Sequence, residues 1–401
     1  MTRRPPLALI YVVTVTGVML NSLIAPAIPD ILDTFGQDAS KAGILVASGS
    51  LPGIVVAPMV GFAADRFGRK RILVPCLLVF GSFGVVAATA PTFNVLLAAR
   101  FAMGFGSAGL INLAVVMLGD SFSGANRTRA IGRNAAVLTT GLAVLPLISG
   151  LVTDLSSWRW ALAIYTLALG TAGLVIIFMD NFKPQQTGNV KTQLVEAVRI
   201  LRQPILATTL VSGALTFALI FGVFLTALPV HLEREFGLSA GWRGLIIAVP
   251  AVTSTMVSAN LARLRGRWGL RTMMVTGSSL FVVSFVTMGL TGVLGVAILG
   301  AAVYGLGEGA TIPTLQDVAV SAAPDQHRGG ILAGWVSAAR LGQTIGPLAA
   351  APLIAATDTG TTMVIGGLVA ILLVLLKAFG PIDDRALQAA IESGRSVSSS
   401  P

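Results

Sequence analysis

Charge is scarce in this sequence. Its 401 residues include 17 acidic and 27 basic side chains, 11% charged in total, against about 25% in an ordinary soluble domain. That shortage excludes a soluble globular protein. Disorder is excluded by the opposite excess, since 54% of the residues are hydrophobic. The single cysteine, Cys76, rules out an intrachain disulfide and a cysteine-based metal site. Only two histidines occur, His231 and His327, far apart and at the ends of apolar runs where solvation is expected. With neither a G-x-S-x-G nor an H-E-x-x-H pattern, no catalytic triad or zinc site assembles readily. A membrane-embedded enzyme is therefore a weak alternative.

What the sequence has instead is long apolar runs. A helical span needs roughly 20 apolar residues, and twelve runs qualify: Leu7–Ile28, Ala42–Ala63, Ile72–Ala90, Phe93–Leu118, Ile131–Val152, Trp158–Met179, Ile205–Val230, Trp242–Leu261, Thr272–Leu290, Val293–Val320, Ile331–Ala355 and Thr361–Phe379. The first run follows Arg3 and Arg4 and contains Ala25-Pro26-Ala27, which mimics a signal-peptide cleavage site. It is longer than a signal core of about 7–15 residues, and it is read as helix 1. Expected is an all-α integral membrane protein with two six-helix bundles, residues 1–180 and 205–380. A cytoplasmic linker at 181–204 would join them, and a disordered cytoplasmic tail would occupy 381–401. The linker segment Val190–Leu201 has the pattern of a short amphipathic surface helix.

Lys and Arg set the orientation. With the N-terminus in the cytoplasm, 21 of the 27 lie on the inner side and four on the outer side (Lys41, Arg159, Arg234 and Arg243). Arg100 and Arg340 fall within spans. The positive charge is thus a topology signal, and no nucleic-acid partner is expected. Both termini should be cytoplasmic, in the cell (inner) membrane.

An offset of 201 residues superimposes the second half on the first. Arg66 and Gly68 fall on Arg267 and Gly269, Gly104 and Gly106 on Gly305 and Gly307, Arg127 on Arg328, and Gly141 and Pro146 on Gly342 and Pro347. A duplicated unit of six helices keeps its orientation, so the copies should be related by an axis along the membrane normal with a central cavity.

The segment GFAADRFGRKR, Gly61–Arg71, resembles the signature loop between helices 2 and 3 of the major facilitator superfamily of secondary transporters. The resemblance extends from Leu7 to Phe379. Within that family, LLAARFAMGFGSAG (Leu96–Gly109) is similar to the helix-4 motif of drug:proton antiporters, with Arg100 on its arginine. GLAVLPLISG (Gly141–Gly150) matches the helix-5 antiporter motif in part, with Leu145 where the motif has the glycine of a Gly-Pro pair. The second half keeps that pair as Gly346-Pro347, and its copy of the signature loop has Gly266 in place of the Asp. The resemblance implies alternating access around a central cavity. It also implies a conformational latch at Gly61, Asp65, Arg66, Gly68 and Arg69, in which Asp65 pairs with Arg127 or Arg129, or faces a helix N-terminus. Glycines there would let helices 2 and 11 approach closely. Gly141, Pro146, Gly150, Gly342, Gly346 and Pro347 would bend or thin helices beside the cavity. Gly104-x-Gly106-x-x-Gly109 also fits a dinucleotide fingerprint, but it lies inside an apolar span and not at a strand-to-helix turn.

Polar groups at membrane depth are costly, and each is a site hypothesis. Arg100 reads as a gating residue or as a structural cap on carbonyls, with Asp30 and Asp33 as possible partners or plain solvated residues. Asn21 and Asn112 suit the cavity or simple interhelical hydrogen bonding. Phe217, Phe221, Phe224 and Tyr304 line the cavity or face lipid. Glu308 and Arg340 lie at similar depth at ~1.5 Å rise per residue, and adjacent helices 10 and 11 would let them pair, as a coupling site or a fixed bridge. The leading reading is a monomeric, proton-coupled exporter of small apolar or cationic amphipathic compounds. It would need no cofactor beyond the proton gradient, and its partners would be substrate, protons and the bilayer. Symport of a small organic solute is the alternative.

Overall fold

The computed structural model describes residues 5–122, 124–180, 200, 202–322 and 328–398. Among these residues there is no strand. The long helices, some built from consecutive segments, are α1 (Leu7–Thr34), α2 (Ala39–Phe67), α3 (Arg69–Ala88), α4 (Phe93–Ser121), α5 (Gly124–Leu155), α6 (Trp158–Phe178), α7 (Pro204–Phe236), α8 (Ala240–Ala259), α9 (Leu270–Leu290), α10 (Leu294–Ser321), α11 (Arg328–Ala356) and α12 (Thr359–Phe379). Eleven are long and apolar enough to cross a membrane. The remaining one, α11, has 29 residues; Arg340, Gln343 and two prolines make it less apolar. The expected surface helix at 190–201 lies outside the described residues apart from Ile200, as does His327.

The duplication recurs in the backbone. Four glycines have positive φ: Gly36 at 58°, Gly68 at 98°, Gly237 at 61° and Gly269 at 75°. They form two pairs at the 201-residue offset, one ending a helix at the same place in each half and one starting α3 and α9. Only glycine adopts that conformation freely. Close packing repeats as well. A Cβ on Gly106 would lie 2.4 Å from the Cys76 carbonyl oxygen, and one on Gly307 2.7 Å from that of Gly277. Likewise Gly104 faces the Gly49 carbonyl at 2.5 Å, and Gly305 faces that of Pro250 at 2.5 Å. Each partner is itself displaced by 201.

Two compact units emerge, Met1–Gln186 with Pro229–Ala248, and Thr187–Leu228 with Val249–Pro401. The last turns of α7 and the first of α8 belong with the first unit. A Cβ on Gly150 would lie 2.3 Å from the Ala240 carbonyl, and one on Gly244 2.4 Å from that of Pro146. Backbone meets backbone along that seam.

The tail departs from expectation. Residues Asp384–Ser398 form a helix, α13, where disorder is expected from the terminal serines. Asp383 caps it, its Oδ1 accepting the Ala386 N–H at 2.7 Å. Ile382, Leu387 and Ala390 form a buried stripe packed with Leu206, Leu270, Leu315 and Trp335.

In α7, residues Ile220–Ala227 widen into a π-helix, a form common at functional sites. Here Gly222 abuts Gly346 of α11, and a Cβ on Gly346 would lie 2.1 Å from the Ala218 carbonyl. Gly346→Val should lower stability by about 1–3 kcal/mol through forced separation of α7 and α11. Thermal unfolding in detergent measures it, with Gly170→Ala, which meets open space, as the variant that should unfold like the parent.

Candidate functional site

Glu308 lies in the second unit on α10. Its Oε1 accepts a hydrogen bond from Tyr304, one turn earlier on the same helix, at 3.3 Å. The Ser254 hydroxyl of α8 lies beside the same carboxyl. Tyr304 is 1% exposed, and its ring stacks on Phe224 with centroids 4.0 Å apart and 2° between planes. The π-turn of α7 carries Phe224. Phe281 and Phe285 of α9 pack on Tyr304 at 5.4 and 5.7 Å. A carboxyl that accepts from one hydroxyl and lies beside another can exist charged or neutral.

The expected Glu308–Arg340 pair is not among the described ion pairs. Arg340 donates to Gln343 on its own helix, Nη1 to Oε1 at 3.1 Å. Equal depth does not fix the direction in which a side chain leaves its helix, and Glu308 bonds to Tyr304, one turn earlier on its own helix. Of the other expected cavity residues, Phe217 packs on Trp335 at 6.2 Å and on Phe221 at 6.4 Å. Asn112 is half-buried in α4.

Arg100 organises the first unit. It is 0% exposed and donates to the Leu45 carbonyl at 2.7 Å, the Leu20 carbonyl at 3.1 Å and Asn21 Oδ1 at 3.0 Å. The first segment of α1 stops at Ser22 and the α-helix resumes at Ile28 after a tight turn at Ala25–Ala27. That break leaves the Leu20 carbonyl to Arg100 and to the Tyr165 hydroxyl, 2.9 Å away. Asn21 also donates to Ser50 at 3.3 Å, so it serves interhelical bonding. Such saturation is what permits a guanidinium to be buried.

The expected acidic partners of Arg100 are elsewhere. Asp33 is exposed, and Asp30 pairs with Arg243. Arg243, counted in sequence as an outer-loop charge, is 2% exposed. It also donates to the Pro26 carbonyl at 2.9 Å and the Leu238 carbonyl at 3.1 Å. Beside it Asp154 of α5 accepts from Ser239 Oγ at 2.7 Å and from the Gly241 N–H at 2.9 Å. His231, expected to be solvated, is 3% exposed.

The signature loop is held by Arg69. Its guanidinium pairs with Asp65 and, through Nε, with Asp120 Oδ2 of α4 at 3.1 Å. Asp65 thus takes Arg69 and not Arg127 or Arg129, because Gly68 turns the chain back and starts α3 against the end of α2. A Cβ on Gly61 would meet nothing within 4 Å. Of the bend residues, Gly141 faces Val18, and Gly342 sits against α7, its Cβ position 2.1 Å from the Ala214 carbonyl. Sequence reasoning missed Ser254, Arg243 and Lys377. The last is 0% exposed and donates to Ser278 Oγ at 2.7 Å.

The Bacillibactin exporter of Bacillus subtilis (strain 168) is 25% identical over 344 residues, covering 82% of this chain and 84% of that protein. Multidrug resistance protein 2 of the same organism is 22% identical over 284 residues, covering 68% and 70%. A crystal structure of a variant of the nucleoside transporter NupG superimposes with a TM-score of 0.78 at 13% identity, over 96% of this chain and 99% of that one. The sequence pattern of the Major Facilitator Superfamily matches residues 8–266 and 210–399. The chain is a multi-pass membrane transporter that belongs to the Major Facilitator Superfamily.

Proposed function

We propose that this transporter exports small amphipathic compounds in exchange for protons by alternating access, and that Glu308 carries the coupling proton. The observation that supports this most is the Glu308 carboxyl at membrane depth, hydrogen-bonded by the Tyr304 hydroxyl with the Ser254 hydroxyl beside it. Fixed ion pairing would silence such a group; hydroxyl partners accommodate both of its protonation states. The names of two relatives, an exporter and a multidrug resistance protein, favour efflux over uptake. The aromatic rings packed on Tyr304 suit an amphipathic, apolar or cationic compound. Arg100 would brace the first unit, and the Asp65–Arg69–Asp120 cluster would latch one end state. The excess of Lys and Arg in alternate loops supports cytoplasmic termini in the cell membrane.

Purified protein in liposomes with an imposed pH gradient, supplied with a panel of lipophilic cations and neutral amphiphiles, tests the reading. Antiport requires at least one compound to accumulate on the acidic side. Accumulation on the alkaline side instead would establish symport, and no gradient-driven movement of any compound would reject proton coupling.

A further inference from the structure

The internal repeat breaks at its most charged point. In the first half, Arg69 is shared by two carboxylates, Asp65 beside the turn and Asp120 of α4. At the 201-residue offset, Gly266 replaces Asp65 and Leu270 replaces Arg69. Between Arg263 and Arg271 the second half carries four arginines and no acid. Its acids come from elsewhere. Asp317 of α10 pairs with Arg265, which parallels Asp120. The other two come from the tail: Asp384 Oδ1 stands 4.0 Å from Arg265 Nη2, and Asp383 Oδ2 stands 3.0 Å from Arg271 Nη2.

The tail also completes the start of α9. The first amides of a helix have no intrahelical acceptor, and Gly269, at φ 75°, has no side chain with which to cap them. Asp384 Oδ2 accepts the Leu270 N–H at 3.0 Å instead. Leu270 is 0% exposed, so without Asp384 that amide would lack a ready partner in water. Hydrophobic packing fixes the geometry, since Ile382, Leu387 and Ala390 share a buried cluster with Leu270, Met274 and Leu315.

We infer that α13 is an intramolecular clasp that supplies the acidic partner lost from the second copy of the signature loop. Asp384 and Asp383 are its positioning residues, and the turn between α8 and α9 is what they hold. The two turns then differ in one respect. Asp65 sits on the helix that enters its own turn and stays with it, whereas undocking of the tail releases the second turn alone. The clasp is independent of substrate, direction of transport and proton coupling.

Hydrogen exchange of the full-length protein in detergent, read at single residues, tests it. In Asp383→Asn/Asp384→Asn the amides of Leu270 and Arg271 should exchange about tenfold faster. Amides of 69–71 should keep the parent rate, and Asp384→Glu should restore Leu270. A second readout uses the buried native Cys76 as a silent background. Leu387→Cys should resist a membrane-impermeant maleimide in the parent and react in the double variant. Unchanged exchange with Cys at 387 still protected would overturn the clasp. So would an equal rise at 69–71 and 270–271, which would mean general loosening.

Discussion

Glu308→Gln should abolish concentrative transport while leaving downhill exchange of the same compound intact. Glutamine keeps a side-chain oxygen where Tyr304 donates, so the local bonding and the Phe224 stack survive the change. It cannot take up or release a proton, so the carrier is fixed in the equivalent of its neutral form. Accumulation against a gradient needs two protonation states with different preferences for the two conformations. With one state the compound equilibrates and stops. In liposomes the accumulation ratio should fall to about 1 at every imposed pH gradient, with half-saturation of downhill exchange near the parent value. Tyr304→Phe removes one donor and leaves the carboxyl, so it should shift the pH dependence and keep accumulation. If Glu308→Gln still concentrates the compound with the parent's pH dependence, Glu308 is a packing residue and the coupling proton sits elsewhere.

Architecture was legible in the sequence to the extent that it rests on composition and period. Scarce charge and recurring apolar runs mark the spans, and a constant offset marks the duplication. Gly36 and Gly237 show how deep that offset runs, since their shared positive φ extends it to a pair that sequence comparison had not used. Partners were less legible. Depth along a helix can be counted from residue number, but the direction of a side chain turns by about 100° per residue, and a small error in phase exchanges neighbours. Glu308 and Arg340 are matched by depth and by the adjacency of their helices, neither of which fixes side-chain direction. The spacing of Tyr304 and Glu308, four residues on one helix, carried the better signal. Arg243 was misread because a charge at the end of an apolar run is ordinarily solvated. Its burial depends on a break in α1 more than two hundred residues away, which no local pattern shows. The helix at 384–398 did have local signals, an Asp cap and the Ile382, Leu387, Ala390 stripe, which the serine-rich terminus obscured.

Arg243→Gln should destabilise the first unit by roughly 2–4 kcal/mol. The guanidinium makes three contacts from a site that is 2% exposed: the Pro26 carbonyl, the Leu238 carbonyl and the Asp30 carboxylate. Removing it leaves two carbonyls short of donors and strands a carboxylate. Breaking a fully buried pair costs about 3–5 kcal/mol; the Asp30 side chain is 38% exposed, and water reaching it reduces that figure. Asp30→Asn should cost less, near 1 kcal/mol, because Arg243 keeps both carbonyls and an amide oxygen can stand in for the carboxylate. Arg243→Lys should fall between the two, since an ammonium cannot reach three acceptors set in a fork. The loss should be local in origin. Asp154 still holds Ser239 and Gly241, and the Gly150–Ala240 and Gly244–Pro146 contacts remain. Thermal unfolding of the four proteins in one detergent, with the Asp30→Asn/Arg243→Gln double variant closing the cycle, gives the coupling directly. If the two single losses simply add, the pair contributes nothing as a pair and Arg243 acts through its carbonyls alone.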